Sequence, residues 1–347
     1  MSTDVARPLT TSTPPPTRRR GPARTALMYI AAFLVAASLP FWAFVGDYSV
    51  GLLLQVAIYA GYGLSWHLLA GYTGQYSFGH ATFFGSGAYV MSILSYRADV
   101  SPWLGMFLGA IGAAFVGLLV GLIARRLSGL FFGLVTFGTS LMLGVAATHY
   151  VGLTGGAAGM SLPLRIDEPA MMQFSTQLPL FELALVVVFL YLALTWWILR
   201  TRLGLLFRSV RDDDVAAEAS GINTRGVRLI GLCISAAMAG LVGALYAQSL
   251  LFIDPESGFG LTQSVNAIFT AIIGGMGTIL GPVLGAIAFI LLRELGVVIS
   301  GGDGTYSVLF YSCVVFVLIL AAPKGLAGVG RALLRQWRAL RLKGAGR

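Results

Sequence analysis

The sequence predicts an all-α protein, a polytopic bundle of about ten transmembrane helices in which some Gly-rich segments are broken or re-entrant. Two observations predict this class. Only 11% of the 347 residues are charged and 57% are hydrophobic, whereas a soluble protein carries about 25% charged residues. The apolar residues also fall into segments of about 20 residues, the length that spans a bilayer. With so few charges, the outer surface is expected to face lipid.

Ten apolar segments account for most of the sequence, and each is about long enough to span. The third, eighth and ninth segments are rich in glycine, so they are also candidates for half-helices or re-entrant segments. The segments cover residues 26–46, 50–70, 78–96, 103–124, 129–150, 180–199, 227–251, 262–281, 282–300 and 305–321. The predicted regions are a disordered cytoplasmic tail over 1–25, a transmembrane domain over 26–322 and a basic cytoplasmic tail over 323–347.

The distribution of basic residues predicts the orientation of the chain. With ten spans and a cytoplasmic N-terminus, all Lys and Arg residues except Arg97, Arg165 and Arg293 fall in the tails or in cytoplasmic loops. Because loops rich in Lys and Arg stay in the cytoplasm, both termini are expected there. The net charge of +9 has the same explanation and does not indicate binding of nucleic acid.

The loop over residues 200–226 is the longest predicted cytoplasmic loop. Three aspartates ending at Asp214 precede an Ala-rich run, which suits the start of a helix, and Gly221 suits its end. Leu206 and Val210 form an apolar stripe at helical spacing. The pattern predicts a short amphipathic helix over 206–222. On the pattern alone, it either docks a soluble partner or lies on the lipid surface.

Polar residues inside the predicted spans are candidates for the path of a solute, because they are costly in hydrocarbon and usually face the interior of a bundle. Hydrogen bonding between helices is the alternative role. Arg293 and Glu294 point about 100° apart on a helix, so we expect Glu294 to face the bundle and find another partner. The path candidates are Gln75, Ser77, His80, Gln248, Asn266, Thr270 and Glu294.

Two Gly-rich segments have the same spacing, Gly-x-x-Gly, near the third and the eighth predicted spans. Transporters often carry interrupted helices next to the substrate path. Chance spacing is the competing explanation in a chain with 45 glycines. The glycines expected at helix breaks are Gly71, Gly74, Gly79, Gly274, Gly275 and Gly277.

Seven stretches, agreeing in order and spacing, carry a resemblance to a known family. They are Leu69–Ala81, Gly85–Tyr89, Leu153–Gly159, Ala216–Asn223, Ser235–Tyr246, Asp254–Ser257 and Ile273–Gly285. From about residue 50 to 325 the chain resembles the permease subunits of branched-chain amino acid ABC importers, of the LivM type, in the hydrophobic amino acid uptake family.

The loop over 200–226 resembles the coupling segment of these permeases, whose signature is Glu-Ala-Ala, three residues, then Gly. The sequence departs from that signature at Val215, which stands in place of the Glu, while Glu218 lies three residues later. The resemblance implies that this loop contacts an ATPase. The residues expected to form that contact are Leu206, Val210, Asp214, Ala216, Ala217, Glu218 and Gly221.

The resemblance also implies a complex in the bacterial cytoplasmic membrane. Its other members are a second permease subunit of the LivH type or a second copy, two cytoplasmic ATPase subunits and an external solute-binding protein. The implied solute is a branched-chain or other hydrophobic amino acid, and urea or short-chain amides are the alternatives. A stand-alone secondary transporter or channel is the alternative function.

No enzymatic chemistry is predicted for this chain. A phosphate-binding loop needs Gly-x-x-x-x-Gly-Lys-Ser/Thr, and neither Lys324 nor Lys343, the two lysines, fits that pattern. We therefore expect ATP to be bound by partner subunits, with no cofactor in this chain. The sequence has no nucleophile–base pair in the spans and no His or Cys spacing typical of a metal site.

Overall fold

The computed structural model describes residues 46–127, 129–165, 167–302, 304–321, 325, 326 and 328. The predicted first span and almost all of both predicted tails lie outside these residues. The helices are α1 Asp47–His67, α2 Ala81–Ala98, α3 Pro102–Ile123, α4 Gly129–His149, α5 Val151–Thr154, α6 Leu178–Ile198, α7 Arg202–Asp212, α8 Asp214–Ala219, α9 Thr224–Leu250, α10 Pro255–Phe259, α11 Leu261–Gly274, α12 Gly281–Ile299 and α13 Gly304–Ala321. A π-helical turn, Leu68–Tyr72, continues α1.

The remaining regular structure is short and lies between α5 and α10. Strands β1 (Met160–Ser161) and β2 (Phe252–Ile253) pair antiparallel, with Met160 opposite Ile253. Two single 3₁₀ turns cover Gly156–Ala158 and Pro169–Met171. The strand pair therefore ties the connection between α5 and α6 to the end of α9.

The fold is the predicted all-α polytopic bundle, but the prediction of ten spans is not confirmed. In the described part of the chain, six helices are long and apolar enough to cross a membrane: α1 with its π turn, α3, α4, α6, α9 and α12. The eighth predicted segment forms α11, whose 14 residues reach only about 21 Å at 1.5 Å per residue. It is therefore a half-length helix, one of the forms that its glycine content suggested.

The helices α1 and α9 form the centre of the bundle and are the most buried of the six candidate spans. Helix α9 packs against α2 and α3, while α1 packs against α6, α11 and α12. Trp66 and Tyr62 of α1, together with Phe83 and Phe84 of α2, are among the largest fully buried side chains. The outer helices α3, α4 and α12 expose large apolar side chains, as a lipid-facing surface requires.

Glycines allow α2, α3 and α9 to meet at backbone contact distance. A Cβ atom added to Gly87 would lie 2.1 Å from the carbonyl oxygen of Gly240, and one added to Gly109 would lie 2.7 Å from the carbonyl oxygen of Gly87. In lipid, helices gain no hydrophobic driving force for association. Small residues at a crossing allow close van der Waals packing, which stabilises the contact instead. This junction holds the three helices together.

The connecting segments form contacts at two opposite ends of the bundle. At one end, here called the inner end, Arg211 of α7 donates to the carbonyl of Gly71. At the opposite, outer end, Arg165 forms an ion pair with Asp99, and Trp103 Nε1 donates to the carbonyl of Pro169 at 2.9 Å. Segments predicted on the same side of the membrane therefore contact one another.

The glycine junction predicts the effect of a single methyl group. Gly87→Ala should destabilise the bundle by about 1–3 kcal/mol, because the new Cβ forces the backbones of α2 and α9 apart. The midpoint of thermal unfolding in detergent micelles measures this effect. Gly138→Ala is the matched control, since a Cβ at Gly138 meets no atom of the residues that the structure describes within 4 Å. Equal midpoints for the two variants would contradict the proposed role of the junction.

Candidate functional site

The loop between α6 and α9 contains two helices where the sequence predicted one. Asp213 has extended backbone between α7 and α8, and its side chain accepts hydrogen bonds from the backbone N–H groups of Val215 and Ala216, both at 3.0 Å. The prediction of one helix across the aspartates is wrong, because Asp213 acts as the N-cap of a new helix. Gly221, with φ of +82°, follows α8 in the left-handed conformation that commonly ends helices.

The two loop helices present one face to the bundle and the other to solvent. Phe207 and Val210 of α7 and Ala217 of α8 are buried, whereas Leu205 and Val215 are 63% and 75% exposed. The predicted contact residues are therefore divided between the two faces. Val210 and Ala217 point to the bundle, Leu206 and Asp214 are partly exposed, and Ala216, Glu218 and Gly221 are exposed.

Two arginines attach this loop to the bundle. Arg211 Nη1 donates to the carbonyl oxygen of Gly71 at 2.9 Å. Arg228, in the first turns of α9, donates from Nη2 to Asp214 Oδ2 at 2.8 Å. The contact of Arg211 links the loop to the first Gly-rich break, because Gly71 belongs to the π-helical turn that ends at this break.

The first break covers residues 74–80, between the π turn and α2. Gly74 has φ of +73°, and a Cβ at Gly79 would lie 1.9 Å from the carbonyl oxygen of Thr136 in α4. Trp66 Nε1 donates to the carbonyl of Ser77 at 2.8 Å, which satisfies one of the backbone groups that the break leaves open. His80, fully buried, lies 3.0 Å from Ser65 Oγ through its Nε2.

The second break covers residues 275–280, between α11 and α12, and Gly277 lies in its turn. Gly275 has φ of +102°, and a Cβ at Gly274 would lie 1.7 Å from the carbonyl oxygen of Gly281. His67 Nε2 lies 2.9 Å from the carbonyl oxygen of Met276. Because His67 is the last residue of α1, this hydrogen bond joins the two breaks.

A polar cavity of about 570 Å³ opens at the outer end, between α1, α9, α10, α11, α12 and α13. Glu294 accepts a hydrogen bond from the hydroxyl of Tyr48 at 2.7 Å, and Arg293 donates to Gln55 Oε1. The two charged groups also lie 3.6 Å apart. Glu294 thus has the further partner that was expected for it, and Arg293 has one on the same helix. The lining residues are Tyr59, Tyr246, Asp254, Glu256, Ser257, Thr262, Gln263, Asn266, Phe289, Arg293, Glu294, Val297, Val308 and Tyr311.

The structure does not bring the seven predicted path residues into one site. Asn266 and Glu294 line the outer cavity, while the three residues at the first break, Gln75, Ser77 and His80, are buried near the inner end. Gln248 donates from Nε2 to the carbonyl of Met171 at 2.9 Å, under the outer connection. Thr270 donates to its own helix, at the carbonyl of Ala267.

Sequence reasoning missed several residues at these sites. Gln263 lies one helical turn before Asn266 on α11, and Tyr48 and Gln55 lie on α1 facing the Arg293–Glu294 pair. Gln263 was detectable, because a polar residue at i−3 shares a helix face with a path candidate. The contacts made by Arg211 and His67 had no sequence signal, since they join segments that are more than a hundred residues apart.

The fold and these sites define a membrane permease: a multi-pass helical bundle with two interrupted helices, a polar cavity at one end and an anchored amphipathic loop at the other. The chain belongs to the family described as "Branched-chain amino acid transport system / permease component", whose profile matches residues 48–322. The resemblance drawn from the sequence motifs is thereby confirmed, and the chain is a transport permease of the membrane.

Similarity to curated proteins extends over most of the chain. It is 27% identical over 334 residues to the high-affinity branched-chain amino acid transport system permease protein LivM of Escherichia coli (strain K12), covering 89% of this chain and 76% of LivM. It is also 27% identical over 289 residues to the LivH permease protein of Salmonella typhimurium, covering 78% of this chain and 91% of LivH. No solved structure matches the chain significantly.

The contact between Arg211 and Gly71 predicts local protection at the first break. Arg211→Met should speed amide hydrogen exchange over residues 71–78 by up to about tenfold, because a hydrogen bond from a charged donor is worth about 1.5 kcal/mol or more. Exchange followed by mass spectrometry on the purified protein measures this. Arg208→Met, at an exposed arginine of the same helix, should leave the segment unchanged. Equal exchange in both variants would contradict the anchoring role.

Proposed function

We propose that this chain is a membrane-spanning subunit of an ATP-driven importer for branched-chain or other hydrophobic amino acids. The observation that carries the proposal is the loop formed by α7 and α8. The face that points away from the bundle exposes Leu205 and Val215, while the opposite face packs against the bundle through Phe207 and Val210. A loop that exposes two large apolar side chains among charged residues on one side, and is anchored to the bundle on the other, is suited to receive a force from a separate protein.

The proposed force comes from two cytoplasmic ATPase subunits. No phosphate-binding loop is present in the sequence, so ATP would be bound by these partners. Movement of α7 would act on the carbonyl of Gly71 through Arg211, and from there on the first break. For ATP to change the conformation of the permease, the ATPase must bind the inward- and outward-open states with different free energies.

The remaining partners are a second permease subunit and an external solute-binding protein. The relatives include proteins named LivM and proteins named LivH, and this chain is similar to both. That pair of names supports a heterodimer of related permeases, with a dimer of identical chains as the other arrangement. The solute is proposed from the same names, which describe branched-chain amino acid transport.

Five of the seven path candidates are proposed to mark two positions along the route of the solute. Asn266 and Glu294 belong to the outer cavity, and Gln75, Ser77 and His80 belong to the first break. Gln248 and Thr270 bond to the outer connection and to α11 itself, so we assign them to the packing of the path walls.

A stand-alone secondary transporter is the second candidate, and the carboxylate of Glu294 beside an open cavity is the observation in its favour. Such a transporter would move solute without an ATPase and would respond to an ion gradient. The proposed importer requires ATP hydrolysis by partner subunits. Uptake by proteoliposomes with and without ATP and its partners separates the two.

The predicted membrane orientation can be tested by labelling single cysteines. With Cys233 and Cys313 replaced by serine, Glu168→Cys should react with a membrane-impermeant maleimide on intact cells, and Glu218→Cys should react only after permeabilisation. The reason is that Glu168 lies in the outer connection and Glu218 lies exposed on α8. The reverse labelling pattern would contradict the orientation and, with it, the cytoplasmic position of the loop.

The proposed docking of the ATPase predicts a strong effect at Val215. Val215→Asp should reduce copurification of the ATPase and ATP-driven uptake at least tenfold, because a carboxylate buried in an apolar contact costs several kcal/mol. Val151→Asp is the matched control, since Val151 is 64% exposed but lies in α5, at the outer end. Full docking and full uptake by the Val215 variant would remove the coupling role from this face.

A further inference from the structure

The outer cavity contains a buried hydrogen-bond donor for which the described part of the chain offers no acceptor. The Oε1 atom of Gln263 receives hydrogen bonds from the hydroxyl of Tyr59 at 3.5 Å and from Asn266 Nδ2 at 3.4 Å. These two donors fix the orientation of the amide. Its Nε2 atom, on a side chain of a residue only 5% exposed, has no hydrogen-bond partner among the described residues. A buried amide N–H without an acceptor is costly, so the cavity is suited to a ligand that supplies one.

The described residues that line the same cavity carry more negative than positive charge. Glu294 lies 3.6 Å from Arg293 and also accepts from Tyr48, so its charge is compensated within the protein. Asp254 and Glu256, at the start of α10, have no basic residue among the described residues that line the cavity other than Arg293. Two features of the site are thus available to a ligand. They are the fixed donor Gln263 Nε2 and the excess of negative charge.

Part of the wall of this cavity is aromatic. Tyr246 and Tyr311 line the cavity together with Phe289, whose ring meets that of Tyr311 edge to face at a centroid distance of 5.7 Å. At about 570 Å³, the space is within the range of small-molecule sites, about 300–1,000 Å³. An apolar side chain of a ligand can therefore be buried against this wall.

We propose that the outer cavity is a binding site for a zwitterionic α-amino acid with an apolar side chain. Gln263 Nε2 donates to the α-carboxylate, and Arg293, which is shared with Glu294 and Gln55, adds its positive charge. Asp254 and Glu256 attract the α-ammonium group, and the aromatic wall receives the side chain. An inorganic cation would satisfy only the acidic residues and would leave Gln263 without an acceptor. Urea and short-chain amides could accept from Gln263, but they carry no cation for the two carboxylates.

The inference rests on the proposed transport function and selects among its possible solutes. Its test uses the complete importer complex in lipid nanodiscs, without the external binding protein. Binding of tritiated L-leucine is measured by scintillation proximity. Unlabelled L-leucine should displace the label. L-Leucinamide, which lacks the carboxylate, 4-methylpentanoate, which lacks the ammonium group, and urea should each compete at least tenfold more weakly.

Two variants assign the groups of the ligand to residues. Gln263→Glu should weaken the binding of L-leucine at least tenfold, because the new carboxylate repels the α-carboxylate of L-leucine. The same variant should raise the relative affinity for L-leucinamide, which has a net positive charge and no carboxylate. Arg293→Gln should weaken L-leucine with little effect on L-leucinamide. Gln177→Glu, at an exposed glutamine of the outer end that does not line this cavity, should change neither. A reversal of preference is a gain that misfolding cannot produce.

The outcomes separate the inference from the function on which it rests. Equal competition by urea or L-leucinamide, or displacement of the label by sodium ions, would overturn the zwitterion site while ATP-driven uptake remained intact. Unchanged selectivity in the Gln263 variant would overturn the assignment of that residue. Uptake at full rate without ATP would instead overturn the proposed function, whatever the result of the binding assays.

Discussion

The structure depends on hydrogen bonds to the carbonyl groups that interrupted helices leave open within the bundle. Lipid supplies no partner for such groups, so they must be satisfied by protein. Arg211 donates to the carbonyl of Gly71, and Trp66 donates to that of Ser77. His67 Nε2 lies within hydrogen-bond distance of the carbonyl of Met276. Each contact satisfies a polar group, and together they connect both breaks to α1 and the first break to α7.

Glycine has two separate roles in this architecture. At Gly74 and Gly275 the backbone adopts positive φ, a conformation that side chains disfavour, and helices end there. At Gly87 and Gly240 the helical backbones touch, and the missing side chain is what permits contact. The first role creates the breaks, and the second holds the surrounding helices firmly enough that the breaks are stable. With the contact glycines alone, the bundle would be tightly packed but would have no interrupted helices. With the glycines of the breaks alone, the interrupted helices would lack close packing around them.

The class of fold and the approximate position of most helices follow from length and apolar content, as α3, α6 and α9 illustrate. The half-length α11 was foreseen only as one of several forms, because hydropathy does not register a chain reversal at glycine. Asp213 shows another limit. A run of three aspartates suits a helix start, and only the backbone decides that the start separates two helices. The cavity was missed because its walls come from six helices. Its decisive feature is an amide nitrogen, Gln263 Nε2, that has no acceptor within the described ranges.

Helix α1 connects the two ends of the permease. Its outer half contacts the cavity, where Gln55 meets Arg293 and Tyr59 meets Gln263. Its inner half ends at His67 and continues into the π turn, where Arg211 of α7 is bound. Because α1 is a continuous and deeply buried helix between these contacts, it cannot move at one end alone without breaking its packing. A displacement of α7 would therefore be transmitted along α1 toward Gln263 and Arg293, which gives the loop formed by α7 and α8 a physical route to the outer cavity.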